Sequence, residues 1–186
     1  MKNLTLRNLI FMALCADLGI VVKKIISPFA NIITDSLHIP GGIGTAFSIS
    51  FIVIGAVIVH HFGAGMLMSI VQCVTAMAIG SVGSMGSLSI VAYFMPGLTI
   101  DLICLAADFF KLGRSFKAFA SSVAASIAAC LTANFIVFGL KGYGLCLYLC
   151  VGATAGAVGG TISMSIVERI VKLVPKENTK NEAKEN

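Results

Sequence analysis

Charge is what this sequence has least of. Only 11% of its 186 residues are Asp, Glu, Lys or Arg, and the mean hydropathy is +0.99. A water-soluble domain of this size averages about 25% charged residues. With so few, a polar surface cannot be assembled, so the solvent for most of the chain must be a bilayer. Cysteine pairing is missing too. Cys15, Cys73, Cys104, Cys130, Cys146 and Cys150 lie scattered in apolar runs without a C-x-x-C, which excludes a disulfide framework and fits small packing residues. Cys146 and Cys150, four apart, would share a helix face. There is no H-E-x-x-H, G-x-S-x-G, Walker A loop or pair of glutamates, so no enzyme and no cofactor are expected. Metal ligation is also unexpected: Asp35 and His38 lack a third ligand nearby, and His60 and His61 belong to the opposite side of the bilayer. No cleavable leader is expected, because the run after Lys2 and Arg7 continues past Asp17 to Lys23 without a small-x-small cleavage site.

What is present is a series of apolar runs. A bilayer-crossing helix needs about 20 mostly apolar residues, and six candidates cover roughly 4–26, 44–61, 63–80, 88–111, 116–139 and 143–172. The expected fold is therefore an all-α, six-transmembrane-helix bundle over residues 1–175. Residues 176–186, which mix Lys, Glu and Asn, form a disordered polar cytoplasmic tail. Positive charge sets the orientation. With the N-terminus inside, the inner segments hold Lys2, Arg7, Lys111, Arg114, Lys117, Arg169, Lys172, Lys176, Lys180 and Lys184. The outer ones hold only Lys23, Lys24 and Lys141, so both termini are expected in the cytoplasm. The net charge of +5 follows from that bias and calls for no nucleic acid.

Helices in lipid associate through small residues. The fifth span is dense in Ala and Ser, and the sixth carries Gly152, Gly156 and Gly160 at four-residue spacing, an extended ridge for internal packing. The fourth span, YFMPGLTIDLICLAADFF, is less ordinary. Pro96 removes a backbone donor, Gly97 admits a neighbouring chain, and Asp101 lies one turn deeper. An aspartate near the bilayer centre costs at least about 2.5–3.5 kcal/mol. It must therefore face the interior, either bonded to neighbouring helices or lining a ligand pocket or proton path. Asp17 and Gln72 lie at similar depth. Asp108 reads as an interfacial partner of Lys111, and Lys23 and Lys24 as side chains that snorkel to the outer surface.

One connection is long: SPFANIITDSLHIPGG, Ser27 to Gly42. Loops of this length in compact bundles are often functional, and its Ile and Phe residues suit a lid folded over the outer end. The other outer connections are the Gly- and Ser-rich SVGSMGSLS and the segment from Gly139 to Gly144.

In size, in six spans with both ends inside, and in an outer lid after the first span, the chain resembles the substrate-binding S components of energy-coupling factor (ECF) transporters. The opening NLIFMALCADLGIVV, the IPGGIG entering the second span and YFMPGLTIDL in the fourth have the same texture, and the likeness covers about residues 4–174. It implies an all-helical subunit of the plasma membrane that binds a vitamin or related micronutrient at the outer face. Import would then depend on a membrane scaffold (T) subunit and two cytoplasmic ATPases. It also implies docking on that scaffold through small residues of the first helix. There the family's alanine pair four apart is replaced by Ala13 and Ala16, three apart, with Cys15 and Gly19 four apart. The expected substrate site comprises Asn31, Asp35 and His38 from the lid, Tyr93 and Asp101 from the fourth span, Asn134 from the fifth, and Tyr143 and Tyr148 from the sixth. Tyr offers stacking and one polar contact, and Asn offers paired donors and acceptors. Two other readings stay open: a self-sufficient transporter with Asp17 and Asp101 as a proton relay, and a non-transport membrane scaffold.

Overall fold

The computed structural model describes residues 6–36, 43–80, 88–139 and 141–173, and among these it is all-helical. Six α-helices follow one another: α1 (Leu6–Ser36), α2 (Ile43–Val59), α3 (Ala64–Ala78), α4 (Ser89–Phe109), α5 (Arg114–Ala133) and α6 (Tyr143–Leu173), with a π-helical turn, Asn134–Phe138, continuing α5. Three of them, α4, α5 with its first π-helical residues, and α6, are long and apolar enough to cross a membrane, which marks the chain as a membrane protein. At 17 and 15 residues, α2 and α3 reach about 26 and 22 Å, less than the roughly 30 Å of a hydrocarbon core. The 31 residues of α1 are long enough, but they carry Arg7, Asp17, Lys23 and Lys24.

The residues at the surface are those expected of a lipid-facing wall. No described leucine is buried, while Leu14, Leu18, Leu102, Leu105, Phe109 and Phe135 are exposed. The interior is filled by Ala, Ser, Ile, Val and Gly. The helix that reads as apolar all round, ISFIVIGAVIV, is the one at the centre: α2 touches each of the other five, as a helix without a polar face should. Those five wrap it in the order α1, α3, α4, α5, α6.

Small residues set the close crossings. Side chains added at Gly152, Gly156 and Gly160 of α6 would meet Cys130, Ser126 and Phe119 of α5 in turn, so the ridge is consumed by internal packing. Gly159 meets Ala46 and Ser50 of α2, and the Ser163 hydroxyl donates to the Ser50 carbonyl at 3.1 Å. Gly97 of α4 lies against Gly65 and Ser69 of α3, where a Cβ at either glycine would fall within 2.8 Å of the other's carbonyl oxygen. That explains the Pro-Gly pair: Gly97 marks the point where two backbones touch.

Two expectations require correction. The Ser27–Gly42 segment is not a loop throughout, because α1 continues to Ser36 through Pro28. Proline removes one backbone bond but is tolerated in membrane helices. The exposed stripe Leu18, Val21, Ile25, Phe29, Ile32 runs through it without a break. Residues 37–42, the second far connection at 81–87 and the tail at 176–186 lie outside the described residues. Lys23, unlike the exposed Lys24, turns inward to α4 instead of snorkelling.

Candidate functional site

Polar side chains gather at three levels. At mid-depth, Gln72 of α3 joins three helices: its Nε2 donates to the Ala16 carbonyl of α1 at 3.0 Å, and its Oε1 accepts from the Ser48 hydroxyl of α2 at 3.0 Å. Gly19 leaves room for that amide, since a Cβ there would lie 2.5 Å from Nε2. Ala16 is fully buried and Gly19 is buried, both within the chain's own packing, so neither is open to a partner; Cys15 and Ala13 are half-buried. Asp17 lies on the exposed side of α1, where its Oδ1 accepts from the Thr75 hydroxyl at 3.0 Å.

The second group occupies the end where α1 begins and α6 finishes. Asp101 is 3% exposed, and its two oxygens accept the backbone N–H groups of Gly65 and Met66, each at 2.9 Å. These are first-turn donors of α3, whose own N-cap is Gly63, with φ +93° and no side-chain bond to offer. A carboxylate from α4 thus caps α3, satisfying donors that lipid cannot. Two turns along α4, Asp108 is paired with Lys117 of α5, only 3% exposed, and its other neighbour is His60 at 3.8 Å. His60 itself sits at φ +52° in the turn after α2. Between these groups is a cavity of about 50 Å³, lined by His60, Asp101, Cys104, Asp108 and Lys117 among others. That is room for water, not for a micronutrient. An open trough on α6, along Thr161, Ser165 and Arg169, is lined by that helix alone.

The third group lies at the opposite, far end. Lys23 Nζ donates to the Tyr93 hydroxyl at 3.0 Å and stands 5.1 Å from the centre of the tyrosine ring. On the other side of the same end, α5 widens into its π turn: the Gly139 N–H donates to the Asn134 carbonyl five residues back at 2.8 Å, and Gly139 closes the turn at φ +57°. Such turns are frequent at functional sites. Asn134, 6% exposed, opens it. Tyr148, 2% exposed, is hydrogen-bonded to Cys130, which lies one helical turn before Asn134 on the same face of α5.

The residues proposed from sequence therefore separate. Asn134 and Tyr148 are both buried at the far end, Tyr148 against Cys130 one turn before Asn134, and Tyr93 lies on α4 at the same end. Tyr143, 84% exposed, begins α6 and faces outward. Asp101 is eight residues, about 12 Å of helix, from Tyr93 toward the other end. Asn31 and Asp35 fall in the last turns of α1, and their side chains are not among the described ones; His38 lies outside the described residues altogether. Sequence reasoning reads Lys23 as a snorkelling side chain and leaves it out of the expected site. The available signal is its neighbour: two adjacent lysines on a helix cannot both point to the same side. No family model, curated protein or solved structure matches the chain.

Proposed function

We propose that this protein is the substrate-capture subunit of an energy-coupling factor importer of the plasma membrane. It crosses the bilayer six times with both termini in the cytoplasm and holds a vitamin or related micronutrient at its outer, far end. A membrane scaffold subunit and two cytoplasmic ATPases complete the importer. The observation that carries this reading is the far end itself. There the bundle buries Asn134 and Tyr148 at a π turn and bridges α1 to α4 through Lys23 and Tyr93. Polar groups in lipid are costly and mark substrate paths. The charge bias of the connecting segments supports the orientation, and the absence of a nucleotide motif from the sequence fits energy supplied by partners.

The test is mass spectrometry of small molecules retained by the purified protein. A micronutrient should co-purify with wild type, and Asn134→Ala should lower its occupancy at least ten-fold while the melting temperature of the emptied protein stays within a few degrees. A protein that retains and binds no small molecule refutes the reading. A proton relay has less support, because Asp17 faces the exterior and Asp101 is engaged by two backbone N–H groups.

A further inference from the structure

From the setting of Lys23 we infer that the molecule captured at the far end carries an oxyanion, a carboxylate or a phosphate, held by the Lys23 ammonium and the Tyr93 hydroxyl. The inference rests on the capture reading and sharpens it to a substrate class. Lys23 is half-buried, and among the described residues Tyr93 is its sole polar partner. An ammonium has three N–H donors, and a tyrosine oxygen takes one of them. A half-buried cation among apolar helices is normally offset by a carboxylate, yet none faces it among the described residues. Asp17, the acid on its own helix with a described side chain, is six positions back and already accepts from Thr75. Lys24 is exposed and supplies whatever anchoring at the bilayer surface a lysine gives here. The tyrosine adds a second donor: its oxygen accepts from Lys23 through a lone pair, which leaves its own O–H free to donate to the same oxyanion. The ring beside Nζ, 5.1 Å from centroid to nitrogen, fixes the direction of the ammonium.

The experiment measures binding of three matched pairs to the purified full chain in detergent: nicotinate and nicotinamide, pantothenate and pantothenol, pyridoxal phosphate and pyridoxal. At least one acid should bind wild type ten-fold or more tightly than its neutral partner. Lys23→Met should erase that preference, bringing acid and neutral affinities within about two-fold, and Lys23→Arg should keep it. Tyr93→Phe should weaken the acid several-fold and leave the neutral partner unchanged. Melting temperatures of the ligand-free variants show whether each is folded; if Lys23→Met is not, the Arg and Phe variants decide. Equal binding of acid and neutral partner, or a preference that survives Lys23→Met, overturns the inference and leaves the capture reading intact. Retention of an anionic phospholipid by Lys23 with no member of the panel bound overturns it in favour of a lipid site. Binding of nothing at all overturns both readings.

Discussion

Replacing Asp101 by alanine separates a cap from a ligand contact. The carboxylate is 3% exposed and accepts two backbone N–H groups at 2.9 Å from the first turn of α3. The N-cap residue of that turn, Gly63, has no side chain with which to cap it. The adjoining cavity of about 50 Å³ has room for water, which replaces a carboxylate bound to both donors only in part. Each buried N–H left unsatisfied costs about 1–3 kcal/mol, and loss of a capping side chain alone costs about 0.5–2 kcal/mol. The insertion cost of the aspartate is not recovered in full, since the helices stay in the apolar phase when their packing is lost. A net destabilisation of about 3 kcal/mol follows, which at about 2–4 °C per kcal/mol for a chain of this length lowers the melting temperature by about 6–12 °C. Asp101→Asn should fall between, keeping one acceptor and turning an amide N–H₂ against the second donor. The assay is thermal unfolding in detergent, with ligand retention measured per folded molecule. The expected result is a lower melting temperature with retention unchanged. An alanine variant that melts like wild type but has lost its ligand would refute the capping argument and return Asp101 to the binding site.

Other consequences follow from the same contacts. Gly97→Val should be among the most damaging single changes in α4, by about 3 kcal/mol or more, since the added atoms meet the Gly65 carbonyl and the Ser69 side chain; thermal unfolding reads it, and Ser69→Gly should recover part of the loss. Gln72→Ala should cost about 2–4 kcal/mol by removing bonds to α1 and α2 and leaving the Ser48 hydroxyl without its acceptor. The Lys117–Asp108 pair should respond asymmetrically. Lys117→Ala leaves a half-exposed carboxylate that water can reach, whereas Asp108→Ala leaves a buried ammonium alone. The aspartate variant should therefore lose at least twice as much stability, and equal losses would refute the assignment.

How far the sequence can be read depends on whether the deciding contact is local. The apolar run of α2 is a property of consecutive residues, and so are the glycines at 152, 156 and 160; both are legible in the order of amino acids alone. That Gly97 admits another backbone is legible too, because glycine and proline adjoin in one helix. Its partner is not: Gly65 and Ser69 are about thirty residues away, and helix pairing in lipid leaves no alternating pattern to read. Asp101 shows the same boundary. Its burial demands a partner, and the sequence leaves two kinds of partner open; only the α3–α4 crossing brings the uncapped first turn of α3 to its oxygens. Residues 27–36 mislead for a local reason. Pro28 and the polar Asn31, Thr34, Asp35 and Ser36 look like a loop, while the apolar spacing through Phe29 and Ile32 that continues the helix is the weaker-looking signal.

The three polar levels differ in what their side chains have left to offer. At mid-depth, Gln72 has its oxygen bonded to one hydroxyl and its amide to a carbonyl. At the terminal end, Asp101 has an N–H on each oxygen and Lys117 has its carboxylate, and the cavity between them holds about 50 Å³. Drug-sized ligands occupy about 300–1,000 Å³, so that end is a set of internal fastenings with space for solvent. Lys23 is different in kind: a strong multiple donor matched, among the described residues, to a single neutral acceptor. On the capture reading, an anion arriving from outside completes it. On that reading, a bundle fastened at its middle and at one end has its chemistry at the other.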